Sequence, residues 1–163
     1  TLILTLILSP KINPIPPNNC REPTIFLWLL YPQRAYSDFI LLDTNELYPY
    51  IINEYDPGIP KLAGDPPVSD VVVSFDVLEH VEPDKVDNVI KHIYDKCNMW
   101  TYHKICTRAA TGAFPVTGQN LHLTIKPGYW WLQKFEPYFD FLETNINEGF
   151  CSFLALKKWN FLI

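Results

Sequence analysis

The pattern of apolar and polar positions changes near residue 50. The first fifty residues contain short apolar runs interrupted by seven prolines, whereas the residues that follow show regular periods. Proline at this density interrupts helix interiors and central strands. We therefore divide the chain into an irregular Pro-rich N-terminal segment, residues 1–50, and a partial α/β domain, residues 51–163.

The ordered part begins with a strand and a helix. The run Asp70–Phe75 is continuous and rich in β-branched residues, which predicts a strand buried on both faces, as in a parallel sheet. Pro83 then marks a helix start, because proline is tolerated in the first helical turn. Apolar residues recur at spacings of three and four: Val86, Val89, Ile90, Ile93 and Cys97. This spacing puts His92 on the solvent-facing side of the helix.

The remaining elements alternate in type. Trp100–Thr107 is predicted to be a strand, Pro127 opens a second helix, and Phe139–Glu143 and Phe150–Leu156 are predicted to form a closing hairpin. Alternation of strands and helices is typical of parallel α/β sheets. The predicted fold class is α/β: a Rossmann-like, mostly parallel sheet with an antiparallel C-terminal hairpin and an incomplete or irregular N-terminal part.

Composition narrows the classes of function. The chain has 163 residues and a net charge of −5, which argues against non-specific nucleic-acid binding because that needs a surplus of cations. The apolar stretch Thr1–Ser9 is much shorter than the roughly 20 residues of a membrane-spanning helix, so we expect no membrane association. The chain begins with Thr, so we expect a processed product or a fragment.

The spacing of the cysteines and histidines indicates the cellular compartment and whether a metal site is expected. The four cysteines form no C-x-x-C pair, which favours buried free thiols and a cytoplasmic protein over a disulfide scaffold. The four histidines lack paired ligand spacing such as H-x-x-x-H. We therefore expect no metal site.

Candidate chemistry follows the buried strand. In open α/β sheets, ligands bind beyond the carboxyl ends of the strands. Phe75, Asp76 and Val77 lie at such an end, and Glu79 and His80 follow in the loop. Two carboxylates and an imidazole could transfer protons. They could equally be surface acids beside a locally packed histidine, and spacing alone leaves both interpretations open.

A second acidic position lies earlier in the chain. Asp56 follows an apolar run that ends near Ile52, and a carboxylate at a strand end can accept both hydroxyls of a ribose. The sequence Asp-Pro-Gly is also favourable turn chemistry. The residues themselves do not choose between a ribose ligand and a turn.

Residues 70–81, Asp-Val-Val-Val-Ser-Phe-Asp-Val-Leu-Glu-His-Val, closely resemble the fourth-strand motif of class I S-adenosylmethionine-dependent methyltransferases. Four further segments occur in the order seen in a methyltransferase-like group of phages and bacteria: Tyr55–Pro60, Thr107–Arg108, Gly118–His122 and Trp130–Trp131. The resemblance extends over roughly residues 50–156.

The resemblance implies S-adenosylmethionine as cofactor and methyl transfer to an unknown small-molecule or macromolecular acceptor. It implies that Asp56 binds the ribose and that Phe75, Asp76 and Val77 line the cofactor pocket. Glu79 and His80 match positions that face the substrate, and they are the candidate catalytic residues. His122 and Trp130 match positions near the acceptor entrance.

One departure from the family keeps an alternative open. Family members carry a Gly-rich loop after the first strand, whereas this chain has no glycine before Asp56. The run Phe39–Asp43 is the candidate remnant of that strand. The alternative is therefore a non-catalytic Rossmann-like remnant that serves as a binding or structural module. A dinucleotide-dependent oxidoreductase would need a G-x-G-x-x-G loop, which is also absent.

Overall fold

The computed structural model describes residues 53–159 in full and, before them, the backbone of residues 5–7, 9–10, 26–29 and 50–51. The first strands are β1 (Thr5–Ile7), β2 (Ser9–Pro10), β3 (Phe26–Leu29), β4 (Tyr50–Ile51) and β5 (Glu54–Tyr55). They are followed by β6 (Ser69–Phe75), α1 (Val86–Lys96), β7 (Cys97–Cys106), α2 (Gly128–Phe135), β8 (Phe139–Ile146) and β9 (Phe150–Lys157).

Seven of the described strands form one mixed sheet in the order β5-β1-β3-β6-β7-β9-β8. Strands β3, β6 and β7 are mutually parallel, and the other neighbours in the sheet pair antiparallel. The α/β class and the C-terminal hairpin predicted from the sequence are confirmed. Strand β3 lies within the Pro-rich N-terminal segment, whereas Phe39–Asp43 lies outside the described residues.

The unit β6-α1-β7 positions the candidate site. Strand β6 lies between β3 and β7, which explains why its residues are apolar on both faces. Helix α1 buries Val86, Ile90 and Ile93, the stripe expected from their spacing. Strand β7 begins at Cys97, directly after the helix and three residues earlier than Trp100, where the sequence suggested a start.

Aromatic side chains fill the core between the helices and the C-terminal strands. Trp131 and Phe135 of α2 are fully buried and lie in the same cluster as Phe139 of β8 and Phe153 of β9. The Phe135 and Phe153 rings meet edge to face at 4.8 Å between centroids. Within the described residues, neither helix has the length and apolar character needed to cross a bilayer.

The fully buried His103 is a structural residue of this core. Its Nδ1 lies 2.6 Å from the hydroxyl of Ser74, and its Nε2 contacts the hydroxyl of Thr101. Thr101 donates its own proton to the carbonyl of Val72, so it accepts from Nε2–H, and Ser74 donates to Nδ1. Burial lowers the pKa of His103 to about 3, so the ring is neutral.

Thr124 ties a distant loop to the turn that follows β6. Its backbone N–H donates to the carbonyl of Glu79 at 2.9 Å, and its hydroxyl donates to the carbonyl of Val81 at 2.7 Å. Thr124 is buried, so both bonds are shielded from water. The loop preceding α2 is therefore fixed against the end of β6.

Replacing the Thr124 hydroxyl should loosen this attachment. We expect Thr124→Val to lower the free energy of unfolding by about 1–3 kcal/mol, because the buried carbonyl of Val81 loses its donor. Thr124→Ser keeps the hydroxyl and should lose less stability than the valine variant. Urea denaturation of both variants measures the difference, and a valine variant as stable as the wild type would contradict the attachment.

The neutral state of His103 has a consequence for acid stability. The unfolded imidazole takes up a proton below its ordinary pKa of about 6.5, whereas the folded one stays neutral down to about pH 3. The unfolding free energy should therefore fall between about pH 6.5 and pH 3, by up to about 1.4 kcal/mol per pH unit from this group.

Urea titrations at several pH values should show that the unfolding free energy changes less with pH in His103→Gln than in the wild type. This substitution removes the titrating ring while retaining a donor and an acceptor. NMR of the wild-type ring should show no protonation at pH 5. Titration of the His103 resonances near pH 6.5 would refute the assignment.

Candidate functional site

The turn after β6 has an unusual backbone. Asp76 adopts a φ of 50°, in the left-handed region that few non-glycine residues occupy and that Asp tolerates better than most. Its N–H donates to the carbonyl of Lys104 at 2.9 Å, which fixes the exit of the strand against β7. A single 3₁₀ turn, Leu78–His80, follows directly. The Asp76 side chain is exposed at this edge.

Glu79 is a buried carboxyl in that turn. It is 0% exposed, and its Oε1 accepts the N–H of Cys106 at 3.1 Å. Among the described residues, no donor reaches its Oε2. Burial raises the pKa of Glu79 to about 8, and the nearby charge of Asp76 acts in the same direction. The group therefore exchanges its proton close to neutral pH.

Two imidazoles lie beside this carboxyl. Nδ1 of His80 lies 2.9 Å from the carbonyl of Leu121, and Nδ1 of His122 lies 2.6 Å from the carbonyl of Arg108. A carbonyl only accepts, so in each ring Nδ1 carries the proton and, when neutral, Nε2 carries the lone pair. The two rings meet edge to face at 4.8 Å between centroids. Burial, followed by the His122 charge, lowers the pKa of His80, which favours its neutral form.

Asn120 positions the histidine that comes from the distant loop. Its Oδ1 accepts the N–H groups of Ala110 and His122, and its Nδ2 donates to the carbonyl of Ala110. These bonds close the loop between β7 and α2. With Thr124 anchored to the turn, they bring His122 to Glu79 and His80.

Glu79, His80 and His122 form what we call the carboxylate–histidine cluster. One donor atom from each residue lies within 4.8 Å of the others. The structure therefore brings together the two predicted catalytic residues and one predicted substrate-side residue. A neutral His80 imidazole beside a carboxyl of raised pKa can accept or return a proton near pH 7.

A cavity of about 250 Å³ borders the same turn. It is bounded by the end of β5, by the turn and by α1: Tyr55, Pro57, Val77, Val81, Lys85, Asn88, Val89 and His92. Of the predicted cofactor-binding residues, Val77 lines this cavity directly. Phe75 is half-buried at the end of β6, where its ring meets Tyr102 at 5.5 Å between centroids.

The prediction that His92 is a solvated surface residue is wrong. His92 is half-buried, it lines the cavity, and its ring lies 5.5 Å from that of Tyr55 between centroids. It lies three residues after Val89, at the edge of the apolar stripe, and that spacing could have indicated a boundary position. Nothing in the local sequence indicates that β5 packs against this edge of α1.

Asp56 lies beside the cavity but has a role in its own turn. It is 0% exposed, and its Oδ1 accepts the N–H of Gly58 at 2.7 Å. Its backbone carbonyl accepts the N–H of Ile59 at 3.1 Å. These bonds show that Asp-Pro-Gly forms a turn, one of the two interpretations of this sequence. Tyr55 and Pro57, the residues on either side, line the cavity. The ribose-binding role remains a prediction.

The two neighbouring tryptophans of α2 differ in burial. Trp131 is fully buried in the core, whereas Trp130 is half-buried and packs edge to face against it at 5.0 Å between centroids. The ammonium groups of Lys126 and Lys134 lie 5.7 and 5.2 Å from the centroid of the Trp130 ring. The substrate-side role of Trp130 remains a prediction.

Comparisons with known proteins give only distant similarity. No protein-family model and no curated protein matches the chain. Among solved structures, the chain is similar to magnesium protoporphyrin IX methyltransferase (ChlM) from Synechocystis PCC 6803 with bound SAH, at 14% identity and a TM-score of 0.40. It is also similar to TehB from Haemophilus influenzae, at 22% identity and a TM-score of 0.38. Each match covers 57% of this chain, and 47% and 37% of those chains, respectively.

Proposed function

We propose that this chain binds S-adenosylmethionine and transfers its methyl group to an acceptor at the carboxyl edge of β6. The observation that carries the proposal is that the turn after that strand contributes to both a cavity and the carboxylate–histidine cluster. Val77 and Val81 face the cavity, while Glu79 and His80 belong to the carboxylate–histidine cluster. A binding volume and proton-transferring groups thus share one short segment, at the edge where α/β sheets bind their ligands.

The cavity has a chemistry suited to a nucleoside. Its walls are largely apolar, with the Tyr55 and His92 rings and the side chains of Val77 and Val81. Apolar and aromatic walls with a few polar groups are typical of small-molecule sites. Asp56 lies next to these walls, where a carboxylate could accept a ribose diol. These residues would hold the nucleoside end of the cofactor.

When bound, the cofactor supplies an electrophilic methyl group on a sulfonium. The protein would then orient an acceptor and take up its proton, since proximity and alignment supply much of the rate in such a transfer. His80, neutral and with its lone pair on Nε2, is the candidate base. Glu79 could relay the proton, because burial raises its pKa to about 8, close to neutral pH.

The second candidate function is a non-catalytic binding or structural module. Strand β3 occupies the place beside β6, and the sequence after it reads Leu30-Tyr31-Pro32-Gln33. Glycine is the residue that allows a backbone to approach a ligand closely, and none precedes Asp56. This observation favours a module that keeps the sheet without methyl transfer.

Calorimetric titration with S-adenosylhomocysteine separates the two functions. We expect micromolar binding if the cavity takes the nucleoside. Asn88→Trp should weaken that binding at least tenfold, because exposed Asn88 lines the cavity and an indole there would obstruct it. Lys91→Trp is the matched control, since Lys91 is exposed on the same helix and does not line the cavity.

The control variant should bind as the wild type does. If the wild type gives no heat at millimolar S-adenosylhomocysteine, the methyltransferase proposal fails and the module is favoured. Equal weakening by the two tryptophans would show that the ligand binds elsewhere than in the cavity.

Two substitutions test the ribose role of Asp56. Asp56→Asn retains an oxygen that can accept from Gly58 but loses the negative charge and one of the two acceptor oxygens. We expect both Asp56→Asn and Asp56→Ala to weaken S-adenosylhomocysteine binding by about 1–3 kcal/mol, or roughly 5- to 150-fold. Only the alanine variant should also lose the turn bond and unfold at a lower temperature. An asparagine variant with wild-type affinity would limit Asp56 to the turn.

A further inference from the structure

The carboxylate–histidine cluster has the donor set of a metal centre. It contains two imidazoles and a carboxylate, with one donor atom from each within 4.8 Å of the others. Two histidines and one carboxylate are a recurrent protein ligand set for zinc and for non-haem iron. The sequence expectation of no metal site rested on spacing along the chain. Here His122 comes from a loop 42 residues after His80.

The second observation is the unpartnered oxygen of Glu79. This side chain is fully buried, and within the described part of the chain no donor reaches its Oε2. A buried carboxyl oxygen without a partner is costly, since it loses water and gains nothing in return. Its other oxygen is already held by the N–H of Cys106, which fixes the direction of the carboxyl group. A bound cation would satisfy Oε2.

The orientation of the imidazoles is the third observation. Metal-binding histidines usually donate their other ring N–H to a carbonyl or carboxylate, which sets the tautomer and directs the lone pair at the metal. Both rings do so here, His80 to the carbonyl of Leu121 and His122 to that of Arg108. Each ring therefore keeps its Nε2 lone pair available in the neutral form, although the two rings come from different loops.

From these contacts we propose that Glu79, His80 and His122 bind one divalent transition-metal ion, with Zn²⁺ the best-suited probe. Donor atoms around a tetrahedral zinc lie about 3.3 Å apart, given bonds of about 2.0–2.2 Å. The donor atoms, which lie within 4.8 Å of one another, would move closer together when the ion binds. Imidazole nitrogens select Zn²⁺ over Mg²⁺ and Ca²⁺, which prefer oxygen ligands.

Three protein ligands leave a coordination position open, as in catalytic zinc sites. With the ion bound, the Nε2 lone pair of His80 is a ligand and no longer acts as a base. An oxygen bound at the open position loses its proton more readily, so a hydroxyl acceptor is the substrate class that this centre would serve. This extension to the acceptor rests on the proposed methyl transfer. Metal binding itself does not, because it requires neither cofactor nor acceptor.

The test is metal binding by the whole chain after EDTA treatment and desalting. Calorimetry with Zn²⁺ should give one site per chain. Glu79→Gln, His80→Ala and His122→Ala should each weaken binding at least tenfold, since loss of even an outer partner of a metal ligand costs 10- to 100-fold. Co²⁺ should give the visible absorption of a tetrahedral site in the wild type and lose it in the variants.

A control separates the cluster from other nitrogen donors. His92→Gln removes an imidazole outside the cluster. It should retain wild-type Zn²⁺ affinity. Circular dichroism identifies any variant that fails to fold, and His122→Asn provides a second substitution on the loop.

The proposal would be overturned if the chain bound no stoichiometric Zn²⁺ at 100 µM metal. A dissociation constant of that size corresponds to a binding free energy of about −5.5 kcal/mol. Unchanged affinity in folded variants of the three ligands would also overturn it, as would equal competition by millimolar Mg²⁺. Failure to bind S-adenosylhomocysteine together with tight Zn²⁺ binding would refute the proposed function alone. The reverse result would refute the metal centre alone.

Discussion

The site depends on the burial of one carboxyl group at the end of the central parallel strand. Glu79 is held through its side chain by the N–H of Cys106 and through its backbone carbonyl by the N–H of Thr124. The first bond joins the turn to β7, and the second joins it to the loop before α2. The turn therefore adopts its position only when strand, neighbour and loop are all assembled.

The turn held by these two bonds contributes to two chemically different surroundings. Val77 and Val81 face an apolar cavity beside α1, whereas Glu79 and His80 lie with His122. Val77 and Val81 flank the 3₁₀ turn, whereas Glu79 and His80 belong to it. The cavity and the cluster therefore share one segment, residues 77–81.

The local sequence pattern was sufficient to predict the elements that carry the site. It was insufficient to predict how the side chains of the site come together. The β-branched run of β6, the apolar stripe of α1 and the closing hairpin are signals within a few residues, and all three are confirmed. The alignment of His122 with Glu79 depends on Asn120 and Thr124, which make contacts 10 and 43 residues away in sequence, respectively. The burial of His92 depends on β5, whose approach no periodicity within α1 encodes.

The outer strand β8 bears on how the folded chain behaves in a crowded solution. Its pairing with β9 is irregular between Phe141 and Glu143, and most of its residues are exposed, including Asp140 and Glu143. An edge strand offers free backbone groups to strands of other molecules, and bulges and charges oppose such pairing. Without these features, exposed Leu142 and Ile146 would favour association through this edge of the sheet. The irregular pairing and the acidic residues thus oppose edge-to-edge association between copies of the protein.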